Sequence, residues 1–361
     1  MELMRYGYIP AADPPPKGLL PGRVIESKRG QHTLATDQGE VTAIVTGAFH
    51  RGAEARNDFP CVGDFVLIAL SENGPSQIKE LLPRRSKFSR ADFLGHGAGY
   101  AKTIREQVVA ANFDYVFILS SLGQLFKVSR VARYLPPAWQ SGGQPVVILT
   151  KADLAPDTGA PVAEVERAAP GVPIHAISSR TGRGLEGLNL YLKPGKTAVF
   201  LGMSGVGKSS LVNALMERDV MAVRGVREDD HRGRHTTTHR QLFMLPSGAM
   251  IIDTPGMREL GLIGVDDGIR LGFADVEALF ALCRFGDCGH ESEPGCAIRA
   301  ALADGTLSLS RWELYSAQRR ENRFVQERAA FMRERREWEK GIAKYNKANQ
   351  KANRRYGGKT Q

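Results

Sequence analysis

The hydrophobic pattern divides the chain into two kinds of segment. Between Gly22 and Leu82, short β-rich stretches alternate with turn sequences such as Asp37-Gln38-Gly39. Five or so strands this short are typical of a small antiparallel barrel of about 60 residues. We predict an OB-like β-barrel over residues 21–88, with an SH3-like barrel as the alternative, because periodicity does not separate the two. The clearest strand candidates are Gly22–Ser27, His32–Thr36, Val41–Thr46 and Gly63–Leu70.

After residue 100 the pattern changes to compact apolar runs with helical segments between several of them. Such runs are typical of the buried parallel strands of an α/β sheet. Residues 241–253 read as two strands joined by the turn Pro246-Ser247-Gly248, and from about residue 270 the chain reads as helical. The predicted strands of the sheet are Tyr115–Ser120, Val146–Thr150, Ile174–Ser178, Thr197–Leu201 and Met250–Asp253.

Composition narrows the class of protein. The 361 residues are 42% hydrophobic and 24% charged, which supplies enough apolar material for sizeable cores and excludes a wholly disordered chain. The longest apolar runs fall far short of the ~18 residues that span a bilayer, and the first twenty residues carry no signal pattern. Four cysteines do not make a disulfide scaffold. We therefore expect a cytoplasmic protein with no membrane partner.

The net charge of +10 is concentrated near the end of the chain, where residues 311–361 hold 15 Lys/Arg against 6 Asp/Glu. Such asymmetry indicates a polyanionic partner, nucleic acid first, and charge alone leaves a solvated helix face or tail as an equal alternative. A membrane-surface helix is the other alternative, but residues 319–336 leave no broad apolar stripe, so RNA is favoured. A second basic stretch consists of Lys79, Arg84, Arg85, Lys87 and Arg90.

The strongest chemical signal is a complete phosphate-loop pattern, Gly202-Met203-Ser204-Gly205-Val206-Gly207-Lys208-Ser209, between an apolar strand and a helix-like run. Glycines let backbone N–H groups turn toward phosphate oxygens, Lys208 brings a cation to the β- and γ-phosphates, and the Ser209 hydroxyl is a ligand for Mg²⁺. The predicted nucleotide contacts are Gly202, Met203, Ser204, Gly205, Val206, Gly207, Lys208, Ser209 and Ser210.

Two further segments fit the γ-phosphate side of this site. The sequence Ile251-Ile252-Asp253-Thr254-Pro255-Gly256 ends a strand with an acid followed by a glycine. We expect Asp253 to hold Mg²⁺ through a water molecule and the Gly256 N–H to meet the γ-phosphate. The loop of residues 233–238 carries Thr237, our first choice for completing the Mg²⁺ shell, and Thr238, the second.

Guanine selectivity requires a carboxylate that accepts from the N1–H and the exocyclic amine. The sequence Thr150-Lys151-Ala152-Asp153 follows a predicted strand, so that Asp153 is the candidate acceptor and the stem of Lys151 covers the base. Ser178 and Ser179, after another strand, would bring a backbone N–H to the guanine O6. A P-loop ATPase or kinase is the alternative that these two motifs oppose.

Cys283, Cys288, His290 and Cys296 supply three thiolates and one imidazole within fourteen residues. That set predicts a closed, structural Zn²⁺ site, because soft ligands disfavour Mg²⁺ and four protein ligands leave no open position. Cys61 is isolated, and we expect it to pack as a small apolar side chain.

The order of these motifs is unusual, since the base-reading elements precede the phosphate loop by about fifty residues. With this order and the cysteine spacing, the chain resembles the circularly permuted GTPases, most closely the ribosome small-subunit-dependent GTPase A (YjeQ-type) family, over about residues 20–325. The resemblance also covers Gln107–Asn112. Two features depart from it: Thr150 stands where the base motif usually has Asn, and the basic tail has no clear counterpart.

The resemblance implies an α/β protein in which a circularly permuted P-loop GTPase domain is flanked by an OB-like barrel and a helical zinc-binding module. The predicted parts are an arm (1–20), the barrel (21–88), the GTPase domain (89–272), the zinc-binding module (273–330) and a basic tail (331–361). The same resemblance assigns zinc to the four Cys and His residues named above.

The resemblance further implies GTP hydrolysis stimulated by the small ribosomal subunit in late assembly, with contacts to 16S rRNA, by a monomer. The alternative is an RNA-binding assembly factor for which GTP is mainly a conformational ligand. Met257 occupies the place where many GTPases have a water-orienting Gln, so His235, Arg232, Arg234 or a partner must contribute. The predicted catalytic set is Lys208, Asp253, Gly256, His235 and Thr237. We also hypothesise that residues after Gly256 transmit the nucleotide state to residues 270–330.

Overall fold

The computed structural model describes residues 2–28, 30–47, 49, 56–94, 103–123, 126–221, 240–253 and 265–327. The strands are β1 Leu20–Lys28, β2 Gln31–Thr36, β3 Gly39–Val45, β4 Phe65–Ala69, β5 Ser76–Leu81, β6 Lys87–Leu94, β7 Thr103–Ala111, β8 Tyr115–Ser121, β9 Gln144–Thr150, β10 Ile174–Ala176, β11 Thr197–Leu201, β12 Arg240–Met244 and β13 Met250–Asp253. The helices are α1 Glu2–Arg5, α2 Val128–Gln140, α3 Gly159–Ala168, α4 Lys208–Met216, α5 Asp266–Gly272, α6 Ala274–Phe280, α7 Ala297–Asp304 and α8, residues 309–327.

Strands β1 to β5 form the N-terminal barrel. β1 pairs with β2, β2 with β3, β3 with β5 and β5 with β4, and β4 pairs with β1 to close the barrel. All four strand candidates in this region are confirmed, while β5 is an addition whose charged residues hide its apolar face. The barrel core consists of Val24, Leu34, Ala43, Val66, Ile68 and Ile78.

A second sheet forms the centre of the molecule, with the strand order β10-β9-β8-β11-β13-β12. The first five strands are parallel, and β12 is antiparallel to β13. The five predicted apolar strands and the hairpin of residues 241–253 are therefore confirmed. Because β8, β9 and β11 are buried along nearly their whole length, their sequences are continuously apolar rather than alternating.

The barrel and the central sheet are one hydrogen-bonded structure. β12 pairs with β1, so that Glu26 lies opposite Gln241 and Ser27 opposite Arg240, and eleven strands run without a break. The arm folds back onto the barrel, since the Leu3 N–H donates to Asp37 in the turn between β2 and β3 and the Leu3 side chain is fully buried.

The helices α5 to α8 form a module with its own apolar core, which includes Ile269, Phe273 and Tyr315. Helix α5 packs closely on α2 of the central domain. A Cβ atom at Gly268 would lie 2.0 Å from the Pro136 carbonyl oxygen, so only glycine permits this approach. The basic tail, residues 331–361, lies outside the described residues.

Candidate functional site

The predicted phosphate loop connects β11 to α4. β11 is completely buried, and α4 begins at Lys208. Gly202 has φ +150° and would carry its Cβ atom 2.6 Å from the Leu119 carbonyl oxygen, while Gly207 has φ +97° immediately before the helix. Both positions therefore require glycine for reasons of backbone geometry. The loop delivers the chain to the N-terminus of α4, where free N–H groups and the helix dipole favour an anion.

The Lys208 side chain lies across this loop. Its ammonium group donates to the Gly202 carbonyl and, at 2.9 Å, to the Met203 carbonyl. Ser209 follows as the second residue of α4 and is half-buried. A cation, a hydroxyl and a helix N-terminus therefore occupy one end of the central sheet, in the arrangement that phosphate binding requires.

Asp253 ends the neighbouring strand β13 and is only 7% exposed. Burial raises the pKa of its carboxyl group above the usual value, and the positive charge of Lys208 opposes that shift. Asp253 and Lys208 are therefore close enough for their charges to interact. Carboxylate and hydroxyl oxygens are the ligands Mg²⁺ prefers, so Asp253 and Ser209 fit the predicted cation.

The base-reading candidates lie at the end of β9, where Lys151 adopts a left-handed conformation with φ +60°. This turn buries Ala152, whose N–H donates to the Ile177 carbonyl, and leaves Asp153 exposed. The Ser178 hydroxyl donates to Asp153 Oδ1 at 2.6 Å and lowers the pKa of that carboxyl group. Asp153 is therefore held in its ionised, hydrogen-bond-accepting form.

This hydrogen bond is a feature that the sequence alone did not reveal. The sequence places Ser178 and Ser179 at the guanine O6 through a backbone N–H, whereas the structure gives the Ser178 side chain a second role in orienting Asp153. The Thr181 N–H in turn donates to the Ser178 hydroxyl, which fixes its rotamer. Ser179 follows and is half-buried.

Thr150, the departure from the usual base motif, is 2% exposed and faces the phosphate loop. Its hydroxyl donates to the Val206 carbonyl at 2.5 Å, and its side chain lies near the position that a Cβ atom of Gly207 would take. The strand end that carries Asp153 is therefore joined directly to the loop that carries Lys208. Sequence order separates these two segments by about fifty residues, and the fold makes them neighbours.

The predicted metal ligands also come together. The ligand atoms of Cys283, Cys288, His290 and Cys296 lie within 4.8 Å of one another. The His290 Nδ1 atom is 3.6 Å from the sulfurs of both Cys283 and Cys296. Three soft sulfurs and one imidazole at this spacing fit a tetrahedral zinc ion.

Seven residues proposed from the sequence for the γ-phosphate side of the site lie outside the described residues: Arg232, Arg234, His235, Thr237, Thr238, Gly256 and Met257. Cys61 is 5% exposed and packs against Val108 and Ala111, as predicted for a small apolar side chain. Within the described ranges, no helix has the length and apolar character needed to cross a bilayer.

Comparison with known proteins adds independent information. The family model for RsgA GTPase matches residues 81–263. A protein of Lactiplantibacillus plantarum named small ribosomal subunit biogenesis GTPase RsgA 2 is 41% identical over 324 residues, which cover 89% of this chain and 89% of that protein.

Solved structures agree with this match. YjeQ from Thermotoga maritima is 27% identical, with a TM-score of 0.63, and the alignment covers 84% of this chain and 98% of that one. YloQ, described as a circularly permuted GTPase, has a TM-score of 0.59 at 21% identity, covers 86% and 97% of the two chains, and supports the fold alone. The fold class expected from the sequence is thereby confirmed.

Proposed function

The chain belongs to the RsgA GTPase family, and from that premise we propose that it hydrolyses GTP in response to the small ribosomal subunit during late maturation of that subunit. One observation carries the assignment to these particular residues. Thr150 bonds to the Val206 carbonyl, which brings the carboxylate of Asp153 and the phosphate loop to one edge of the sheet. A guanine-reading group and a triphosphate-binding group can then act on one nucleotide.

In the proposed reaction, water attacks the γ-phosphorus of GTP and GDP leaves. Phosphoryl transfer depends on positioning and on stabilising charge rather than on covalent chemistry. The backbone N–H groups of residues 205–210 and the Lys208 ammonium would neutralise the charge that develops on the phosphate oxygens. Gly202, Met203, Ser204 and Ser210 complete the proposed phosphate-binding segment.

Ser209 and Asp253 would hold Mg²⁺, with Asp253 acting through a water molecule and Thr237, or Thr238 as second choice, completing the shell. When bound, the cation neutralises charge on the β- and γ-phosphates. Gly256 would donate its N–H to the γ-phosphate.

Base recognition would rest on Asp153, which Ser178 keeps ionised. The stem of Lys151 would cover the guanine, and the backbone at Ser178 and Ser179 would meet its O6. The expected result is selective binding of GTP and GDP over ATP, measured by competition. Asp153→Asn should weaken guanine nucleotide binding, because an amide cannot accept from both the N1–H and the exocyclic amine.

Unaided hydrolysis should be slow, because the Met257 thioether cannot orient water. We propose that His235, or Arg232 or Arg234 nearby, or a group from the partner supplies this function. His235→Ala should lower partner-stimulated turnover and leave nucleotide affinity nearly unchanged. Full stimulated turnover in that variant would remove His235 from the mechanism.

The zinc module is proposed to be structural. Cys283, Cys288, His290 and Cys296 would fill all four positions of a tetrahedral ion, which leaves none for substrate. Zinc bound there would stabilise the fold of α6, α7 and α8. One equivalent of zinc in the purified protein, measured by mass spectrometry, is the expected result.

The proposed partner is the small ribosomal subunit, including its 16S rRNA, because the relative's name refers to that subunit and the chain carries concentrated basic charge. Binding through phosphate contacts should weaken steeply as salt is raised.

The decisive experiment is multiple-turnover GTP hydrolysis with and without purified small subunits. Subunits should raise turnover, by up to about 10³- to 10⁵-fold if a partner completes the site as in other GTPases. Nucleotide-dependent binding to subunits without any stimulation would favour the RNA-binding factor that uses GTP only as a conformational ligand. Equal affinity for ATP would contradict the guanine assignment.

A further inference from the structure

The barrel strand β1 braces the strand that carries Asp253 at both ends. At one end, the Arg23 guanidinium of β1 contacts Met250, the first residue of β13, across 227 residues of sequence. At the other end, Gln241 of β12 lies opposite Glu26 of β1 on one side and opposite Asp253 on the other. Asp253 is therefore two strands from the barrel, a distance of about 10 Å.

Arg23 is fully buried, and all the acceptors named here are uncharged. Its Nε donates to the Gly63 carbonyl at 3.2 Å and one terminal nitrogen to the Asn112 carbonyl at 2.8 Å. The other terminal nitrogen donates to the Tyr6 carbonyl at 2.5 Å and contacts Met250 Sδ at 3.2 Å. One side chain thus joins the arm, the barrel, the segment before β8 and strand β13.

A buried guanidinium contributes little net stability to a junction between two cores, so stabilisation alone does not explain Arg23. Desolvation lowers the pKa of Arg23 to about 9, because burial disfavours the charged form of the guanidinium. The group still remains charged at neutral pH, and an apolar side chain of similar volume is often equally or more stabilising. What the guanidinium supplies instead is a rigid fork of directed donors.

We propose that Arg23 is a positioning residue for the nucleotide site: it fixes β13 relative to the barrel so that Asp253 is held at the cation and phosphate side of the pocket. The inference rests on the proposed role of Asp253 toward Mg²⁺. It also couples the barrel to the nucleotide site, because a displacement of β1 would change the position of Asp253 through strands β12 and β13. The zinc module is not needed for this connection.

Arg84 provides a matched control. It is another largely buried arginine of the same region, but it forms an ion pair with Asp64 at 2.7 Å and donates to the carbonyls of Asn57 and Phe59, all on the barrel side. Arg84→Lys should therefore disturb the barrel to a similar degree without altering β13.

The test measures how Mg²⁺ strengthens binding of a fluorescent GDP analogue to the full-length protein, without any hydrolysis. For Arg23→Lys we expect the half-saturating Mg²⁺ concentration to rise about fivefold, below the roughly 10- to 100-fold typical of losing a group bonded directly to a metal ligand. Nucleotide affinity in EDTA should stay the same, and Arg84→Lys should show no rise. An unchanged Mg²⁺ requirement in Arg23→Lys, or an equal rise in Arg84→Lys, would overturn the proposal.

Met250→Leu tests the same contact if Arg23→Lys does not fold, since a Met-to-Leu exchange conserves core volume. Loss of the sulfur should raise the half-saturating Mg²⁺ concentration about twofold, and no rise would count against the proposal. Asp253→Asn distinguishes failure of the magnesium role of Asp253 from failure of the positioning role of Arg23. If Asp253→Asn leaves the half-saturating Mg²⁺ concentration unchanged, the magnesium role of Asp253 and the Arg23 proposal both fail. If Asp253→Asn abolishes the strengthening of nucleotide binding by Mg²⁺ while Arg23→Lys and Met250→Leu have no effect, only the Arg23 proposal fails.

Discussion

The N-terminal barrel and the C-terminal helical module, which carries the Cys/His cluster, are attached to the same central domain in different ways. The barrel is joined by main-chain pairing between β1 and β12, reinforced by the buried Arg23. The module is joined by side chains: the Arg311 guanidinium donates to the Ala168 carbonyl at 2.7 Å, and the Gly268 N–H donates to Gln140 at 2.8 Å. A main-chain junction survives most side-chain changes, whereas a side-chain junction can be lost while both partners stay folded.

The interior of the module explains how its attachment depends on the metal cluster. The His290 ring stacks on Phe280 at 4.5 Å, and Trp312 of α8 meets both rings edge-on. One residue before Trp312 is Arg311, which docks on the central domain. The cluster therefore supports the helix that makes the attachment, and we expect docking to weaken when the cluster is broken.

Loss of the cluster should produce the largest difference between the two regions. Cys288→Ser removes one of the four candidate ligands. In small modules of this kind, the free energy of zinc binding contributes directly to folding and amounts to about 10 kcal/mol or more. Hydrogen exchange should become fast in residues 265–327 and stay slow in strands β1 to β5. Equal deprotection of the barrel would show that the two attachments are not independent.

Arg311→Ala should have the next largest effect. Arg311 is nearly buried, donates to both carboxylate oxygens of Asp275 and to two backbone carbonyls, and lies 4.1 Å over the Phe273 ring. Removing it should destabilise the docked module by about 2 kcal/mol, discounted because Asp275 is half-exposed. Chemical denaturation followed by Trp fluorescence provides the measurement.

Arg270→Ala is the control for that substitution, because Arg270 pairs with Asp267 on an exposed surface of the same module. Surface pairs contribute little, so the unfolding midpoint should not change. If Arg270→Ala and Arg311→Ala lower the unfolding midpoint equally, the loss of stability in Arg311→Ala does not come from the loss of docking through Arg311.

A smaller difference is expected from single side chains at the two junctions. Gln140→Ala removes the acceptor of the Gly268 N–H and should cost about 1 kcal/mol at the module junction. Glu26→Ala lies at the barrel junction, where the pairing is made by main-chain atoms, and should change stability by less than about 0.5 kcal/mol. Urea unfolding of both variants gives the comparison, and the reverse ranking would contradict it.

Acidification should have the smallest effect. Burial alone would raise the pKa of Asp275, but the hydrogen bond and charge of Arg311 outweigh it and hold the pKa below its ordinary value. The stabilisation is therefore complete above about pH 4 and is lost as the pH falls through the lowered pKa. When the pH is lowered from above about 4 to below it, the free energy of unfolding should fall less in Asp275→Asn than in the parent protein, because Asn does not titrate. Unfolding measured across that pH range provides the comparison. A parallel loss in both would contradict this assignment.

Much of the candidate site was accessible from the sequence because it depends on residues close together in the chain. The phosphate loop, the strand before it, the helix after it and the cysteine cluster are each set by spacing over fewer than twenty residues. Local rules of turn geometry and metal ligation suffice for such elements. Strand β5 was missed because Lys79 and Glu80 hide its alternating pattern.

The hydrogen bond from Ser178 to Asp153 and that from Thr150 to Val206 could not be foreseen in the same way. Each depends on which rotamer a hydroxyl adopts once two distant segments lie side by side. Hydrophobic periodicity reports which face of a strand is buried, but it does not report which partner a polar group meets there.

The amino-acid sequence alone therefore indicated most strands of the barrel and of the central sheet, their order and the candidate groups for binding a guanine nucleotide and a metal ion. Only folding in three dimensions established that β1 joins β12, that Arg23 reaches Met250 and that α5 rests on α2. The reason is physical: local preferences act over a few residues, whereas these contacts form between segments more than 100 residues apart, and their geometry is selected by packing and hydrogen bonding of the whole chain.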